Sequence, residues 1–296
     1  MPRDRLSTLP RITVVTPSFN QGAFLEQTIR SVLGQLYPNL EYFVIDGGST
    51  DESVEIIKRY QSHLAGWVSE KDRGQAEALN KGFARATGGI LCWLNSDDFF
   101  LPGALHEAVR RLESADFVYG KCLSFSDTGT RSLVNIPPEH DREMLSIVDY
   151  IVQPSSFWRR SLWEKTGTLN EEFHYAFDWE WYLRADKLGH FARADFIFSG
   201  YRIHDAHKSS HGGLKRAQEI VAVAKVHGGE AAGRHYQFAI DHIDLLKKYE
   251  DLALRLKGRG LKSYLQMARW AMPALWNLPA GLEFEKLRQC VNMLKL

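Results

Sequence analysis

Ile90-Leu91-Cys92-Trp93-Leu94-Asn95-Ser96-Asp97-Asp98 joins five consecutive apolar residues to a polar turn that ends on two carboxylates. Five apolar residues without alternation mark a strand covered on both faces, as inside a parallel sheet. Ligands of such sheets bind beyond the carboxyl ends of the strands. Asp97 and Asp98 therefore stand where a ligand would. Adjacent carboxylates repel each other unless a cation lies beside them. Oxygen ligands suit Mg2+ or Mn2+, which bind one or two carboxylates together with substrate phosphates. Taken alone, the pair also fits a solvated turn before Leu101-Pro102.

Working outward, Ile12 to Thr16, Leu40 to Asp46, Trp67 to Ser69 and Phe117 to Gly120 read as further strands. Helical patterns alternate with them. Phe24 to Leu36 sets Phe24, Thr28, Val32 and Leu36 on one face. Glu52 to Tyr60 has Asp51 placed as N-cap, Gln75 to Ala86 ends at Gly88-Gly89, and Ala104 to Leu112 follows. This rhythm predicts an α/β fold, a mostly parallel sheet with helices on both faces. Residues 122–160 read as hairpin and loop, with Pro137-Pro138 excluding a helix. Trp179 to Leu188 is helical, Phe196 to Ile203 is a final strand, and His207 to Gly213 is a polar loop suited to closing over a ligand. Residues 215–268 are helical patterns broken at Gly228-Gly229 and Gly258-Arg259-Gly260.

Lys plus Arg number 37 and Asp plus Glu 36, so the net charge of +1 gives no reason to expect nucleic acid as a partner. Three scattered cysteines form neither a metal-ligand spacing nor a disulfide framework. There is no signal-peptide core and no apolar run of about 18 residues. The expected location is cytoplasmic.

Four strand ends carry polar or acidic residues: Thr16-Pro17-Ser18-Phe19-Asn20, Asp46-Gly47-Gly48-Ser49-Thr50-Asp51, Asp72-Arg73-Gly74-Gln75, and Asn95 to Asp98. Together they outline one cleft. No Gly-x-Gly-x-x-Gly follows the first strand and no P-loop occurs, so phosphates fall to a metal and to side chains.

These motifs, with Ala78-Leu79-Asn80-Lys81-Gly82, Gln153-Pro154-Ser155-Ser156-Phe157, Asp178-Trp179-Glu180-Trp181 and Tyr201-Arg202-Ile203-His204, resemble those of family-2 glycosyltransferases with the GT-A fold, of the bacterial envelope and exopolysaccharide type. The resemblance runs from about residue 11 to about 211. It implies a GT-A domain over 1–213, with a donor half about 11–121 and an acceptor half about 122–213, and a helical C-terminal extension over 214–296. The implied reaction is inverting transfer of a sugar from a nucleoside diphosphate sugar, UDP favoured, to a hydroxyl of a glycan or lipid-linked acceptor.

The roles implied are these. Asp178, between aromatic neighbours, is the base; it also suits the N-cap of its helix. Thr16, Pro17, Ser18, Asn20, Asp46, Ser49, Asp72, Arg73, Gln75, Asn80, Asn95 and Asp97 form the donor site. Asp46 accepts a hydrogen bond from the base ring and Arg73 pairs with phosphate, although Thr16, Ser18 and Arg73 equally fit ordinary loop and surface roles. Asp98, Asp97 and His204 hold Mn2+ or Mg2+. Gln153, Trp179 and Glu180 lie on the acceptor side. Many relatives carry an acidic residue where this chain has Asn95, which leaves two carboxylates in the turn.

Residues 257–279, with Trp270, Trp276 and preceding basic residues, suit either a membrane surface, at the inner face of the cell membrane, or a packed helix or homodimer contact. Two other functions fit the architecture. A sugar nucleotidyltransferase needs a basic opening loop that is absent, and a non-catalytic carbohydrate-binding scaffold would not need Asp46, Asp97, Asp98 and Asp178.

Overall fold

The computed structural model describes residues 9–126, 132–204, 208, 212–244 and 284–294. The chain divides into two units, Met1–Asp141 with Tyr150–His207, and Arg142–Asp149 with Lys208–Leu296. In the first unit the apolar runs become β1 (Ile12–Ser18), β2 (Leu40–Asp46), β3 (Gly66–Ser69) and β4 (Ile90–Trp93). Between them lie α1 (Gly22–Leu33), α2 (Ser53–Tyr60) and α3 (Gln75–Phe83). The four strands run parallel in the order β3-β2-β1-β4. All of β1 and β4 is buried, because helices cover both faces. Ile12, Val14, Ile90 and Cys92 pack with Leu25, Ile29 and Val32 of α1. Trp93 turns to the opposite face, against Phe83 of α3. There α3 comes very close to the sheet: a Cβ on Gly82 would lie 2.4 Å from Val15 Cγ1.

The chain continues through β5 (Phe99–Phe100), α4 (Ala104–Leu112), β6 (Phe117–Ser126), β7 (Ser132–Asn135), α5 (Arg142–Leu145), β8 (Ser156–Arg159), α6 (Arg160–Thr166), α7 (Phe177–Ala185) and β9 (Phe191–Ile203). The hairpin expected within 122–160 is β6 with β7. The same stretch also holds β8, which enters the middle of the sheet antiparallel to both β4 and β6. The sheet is therefore mixed. Its aromatic face joins Trp93, Trp158, Trp163, Phe83 and Trp181 ring against ring.

One helix face differs from expectation. The buried stripe of α1 is Leu25, Thr28, Ile29 and Val32, and Leu36 lies beyond the helix at φ +49, 84% exposed. At the amino end of the strands, buried Glu41 accepts hydrogen bonds from Thr13 Oγ1 (2.5 Å), Thr87 N (2.7 Å) and Thr87 Oγ1 (2.6 Å). It ties β2 to β1 and to the turn before β4.

The second unit contains α5, α8 (Gly213–His227), α9 (Gly229–Asp241) and α10 (Phe284–Leu294). The break expected at Gly228-Gly229 separates α8 from α9, with Gly229 at φ +72. Arg216 donates to the carbonyls of Met293 (2.5 Å) and Leu294 (3.1 Å) and so satisfies the end of α10. No helix among the described residues is long and apolar enough to cross a membrane. The 257–279 segment, and His207, Ser209 and His211 of the polar loop, lie outside the described residues.

Candidate active site

The carboxyl ends of the parallel strands are bound to one another by their own polar residues. Asn20, at φ +51, donates its backbone N–H to Ser49 Oγ (2.7 Å), and its side-chain oxygen accepts from Thr50 N (2.8 Å). Asp51 accepts from Gly22 N (2.8 Å) and Ser53 N (3.0 Å), so one carboxylate serves the starts of both α1 and α2. Gln75 Nε2 donates to Asn95 Oδ1 (2.7 Å) and links the third loop to the fourth. Asp72 leans over Gly47, and its Oδ1 accepts from Gly74 N (2.9 Å). Burial raises the Asp72 carboxyl above its usual range, against the Gly74 N–H and Lys81.

Several residues assigned to the donor are used inside the protein. Asp46 has no exposed surface. Its Oδ2 accepts from Gly48 N (3.1 Å), Ser49 N (2.9 Å) and Ser69 Oγ (2.7 Å), and its Oδ1 from Ser49 Oγ (2.5 Å). Four donors leave it building its loop rather than reading a base ring. Thr16 and Pro17 are buried in β1, and the Thr16 hydroxyl meets Tyr42 OH at 3.0 Å. The Arg73 side chain is 77% exposed and pairs with Glu77 and Glu171 at the surface. Asn80 faces Leu169 and Glu171 instead of the cleft.

The acidic turn has two unequal members. Asp98 is 1% exposed and its Oδ1 accepts from Arg202 N (3.0 Å). Burial, together with the neighbouring Asp97 carboxylate, holds the Asp98 carboxyl well above the usual carboxylate range, against the backbone N–H and guanidinium of Arg202 and the Asn95 side chain. Asp97 Oδ2 lies 3.1 Å from His204 Nε2. A carboxylate oxygen facing an imidazole nitrogen fits a divalent cation whose remaining ligands are phosphate oxygens and water. Among the described residues no three His, Cys, Asp or Glu side chains converge on one point. Asp98 Oδ2 is buried and has no hydrogen-bond partner among the described residues, so it is left over as a ligand beside Asp97 and His204.

Arg202 holds this corner. Its Nε donates to Asp97 O (3.0 Å), its Nη2 bonds Gln27 Oε1, and its guanidinium lies 4.7 Å from the Phe24 ring and 4.8 Å from the Phe125 ring. Thr28 Oγ1 donates to the carbonyls of Ser96 (2.9 Å) and Asp98 (2.6 Å) from the other side.

Asp178 is half-buried in the first turn of α7 and accepts from Trp179 N (2.9 Å). The N-cap position belongs to Ala176. Burial, and then the charges of Asp98, Asp97 and Asp178, push the Tyr201 hydroxyl above its usual range, so one phenol feels all three carboxylates. The acceptor-side assignments fare differently. Trp179 is 1% exposed and belongs to the core. Buried Glu180 grips Arg184 with both oxygens (2.7 and 2.9 Å) and is structural. Gln153 is buried and donates to the carbonyl of Trp93, the last residue of β4 (2.9 Å), while its Oε1 has no hydrogen-bond partner among the described residues.

One residue went unread. Phe19 is 59% exposed at the end of β1, beside Ser18, whose buried hydroxyl has no hydrogen-bond partner among the described residues. An exposed aromatic ring inside a polar loop was the available signal.

Comparison with known proteins agrees with this geometry. The family model described as Glycosyl transferase family 2 matches residues 13–176. A Mycobacterium tuberculosis protein named an uncharacterized glycosyltransferase is 33% identical over 188 residues, 61% of this chain and 70% of that one. S. aureus TarS 1-349, solved with UDP-GlcNAc, shares the fold with a TM-score of 0.63 and 15% identity, covering 96% of this chain and 89% of that one. The mannosyltransferase PcManGT of Pyrobaculum calidifontis, solved with GDP-Man and Mn2+, superposes with a TM-score of 0.64 and 20% identity, covering 98% and 86%. The family match spans more than half of the sequence and contains all four strand-end loops, so the chain belongs to glycosyl transferase family 2 and is a glycosyltransferase.

Proposed function

We propose that the chain moves a sugar, with inversion, from a nucleoside diphosphate sugar to a hydroxyl of a glycan or lipid-linked acceptor. The observation that carries this reading is the facing of Asp97 and His204 beyond the end of β4. Asp178 takes the proton of the acceptor hydroxyl. The freed oxygen attacks the anomeric carbon, the bond to the diphosphate oxygen breaks, and the diphosphate leaves with its electron pair. Asp97, Asp98 and His204 would hold a divalent cation, which when bound would supply positive charge beside the diphosphate oxygens. Phe19 is the platform on which the base stacks, and Ser18 Oγ offers a hydrogen bond to the nucleoside. Asn20, Asp46 and Ser49 keep the nucleoside loops in shape, while Asp72, Gln75 and Asn95 line the floor of the cleft. In this reading residues 1–213 are the catalytic part and 214–296 the helical extension.

A thermal-shift series tests it, with UDP, UDP-GlcNAc, GDP and GDP-Man, each with Mn2+, Mg2+ or a chelator. A ligand at 100 times its Kd adds about 2.7 kcal/mol, which for a domain of this size raises the melting temperature by roughly 5–10 °C. At least one nucleotide is expected to do so only with metal. Asp178→Asn is expected to keep that shift and to slow nucleoside diphosphate release by about 100-fold or more. No metal-dependent shift with any nucleotide, or full turnover by Asp178→Asn, overturns the reading.

A further inference from the structure

Asn80 uses its side-chain amide in both directions on one backbone unit. Its Nδ2 donates to Leu169 O (3.0 Å) and its Oδ1 accepts from Leu169 N (3.0 Å). A planar amide offers donor and acceptor side by side, so this pairing imitates one rung of a sheet. Nδ2 also donates to Glu171 Oε1 (2.9 Å), and the other Glu171 oxygen pairs with Arg73. Farther along, His174 rests on Gly74, where a Cβ would lie 3.3 Å from Nδ1 and where φ is +141. Residues 169–174 are thereby fastened to α3 and to the loop that precedes it.

The beginning of the same segment is fastened to α7. Arg184 donates to Thr166 O (2.6 Å) and Thr168 O (2.7 Å), and Trp181 Nε1 donates to Gly167 O (2.9 Å). The segment then enters α7 directly, and Asp178 stands in the first turn. Helix α3 starts at Gln75, which holds Asn95 of the acidic turn. One helix therefore frames the donor loops and anchors the strap leading to Asp178.

We propose that Asn80 is a positioning residue for Asp178, acting through the strap formed by residues 166–174; this rests on Asp178 being the base. Asn80 and Arg73, both in motifs that suggest donor contact, couple the nucleotide side of the cleft to the base side. Loosening the strap misplaces the base without emptying the nucleotide site.

The test combines hydrogen exchange, UDP and GDP titration with Mn2+, and nucleoside diphosphate release from UDP-GlcNAc and GDP-Man in water. Asn80→Ala is expected to speed exchange of the Leu169 amide and of the amides over 176–180 at least tenfold. Nucleotide Kd and donor KM should stay within about twofold, and kcat should fall at least tenfold. Asn80→Ala combined with Asp178→Asn should be no slower than Asp178→Asn alone, since a misplaced base costs nothing once the base is gone. Glu171→Ala, at the solvent side of the same strap, should produce a smaller loss in the same direction and serves if Asn80→Ala fails to fold. Unchanged exchange over 169–180 overturns the proposal, as does a double variant whose losses multiply. Full turnover by Asp178→Asn would instead overturn the base assignment, and exchange would still judge the strap.

Discussion

Glu41→Gln isolates the charge of one buried carboxylate. Gln has the same shape, so its amide oxygen can keep the Thr13 hydroxyl and the Thr87 N–H, while its amide nitrogen turns to Thr87 Oγ1. That oxygen already accepts from Arg11 Nη1 (2.9 Å) and can accept again. The number of hydrogen bonds is conserved and only their charge assistance is lost. A charged bond contributes about 1.5–3 kcal/mol and a neutral one about 0.5–1.5, so three bonds lose roughly 3 kcal/mol together. The amide also escapes the desolvation of a buried carboxylate, which leaves a net loss of about 1–2 kcal/mol. Burial alone would raise the Glu41 carboxyl; the hydrogen bonds from Thr13 and the Thr87-Gly88 turn outweigh it and hold the group below its usual value. A folded-state pKa below the unfolded one gives stability above the unfolded value, near 4.3, and loses it as pH falls through the folded value. Urea unfolding should therefore show wild type ahead at pH 7 and the gap closing below about pH 4, with unchanged m-values. A gap that is absent at pH 7, constant with pH, or wider in acid refutes the assignment.

Asp97→Asn is expected to weaken Mn2+ binding to the nucleotide complex about tenfold or more in calorimetric titration, and Asp98→Asn to do the same, because the buried Asp98 Oδ2 has no hydrogen-bond partner among the described residues. Phe19→Ala should weaken UDP or GDP binding by about 1–3 kcal/mol without moving the melting temperature of the free protein, since the ring is mostly in water. Arg202→Met should cost about 2–3 kcal/mol in urea unfolding. Its stem still fills the space between Phe24 and Phe125, so the loss comes from the hydrogen bonds to the Asp97 carbonyl and Gln27 and from the two ring contacts.

The parallel half of the sheet was legible because β1, β2 and β4 are buried on both faces, and burial on both faces is written as an unbroken apolar run. Ser156–Arg159 carries no such mark. It is four residues long, follows Pro154, and owes its central place to pairing with strands distant in sequence. The site was legible as a set of loops but less so as a set of roles. Asp46, Thr16, Arg73, Asn80 and Glu180 have the chemistry of ligand-binding groups, yet each is met first by a partner within the fold. Residue type shows what a side chain can bind, while the three-dimensional neighbourhood decides what reaches it first. Asp97 and Asp98 make the point most sharply. They are adjacent and identical in type, but β9 brings a backbone N–H to one, and His204, just after β9, brings an imidazole to the other.

The central position of β8 bears on how the protein is made. β4 meets β6 only through β8, whose residues are translated about 60 positions after β4. Until then a nascent chain carries the parallel strands with one edge of β4 open, and an open apolar edge invites pairing with other chains. The four parallel strands are therefore not a free-standing folding unit. Synthesis must pass Arg159 before that edge closes, and the pairing of strands so far apart in sequence predicts slow closure. A chain truncated near residue 121 would lack β8 and should aggregate, even though it holds all four strand-end loops.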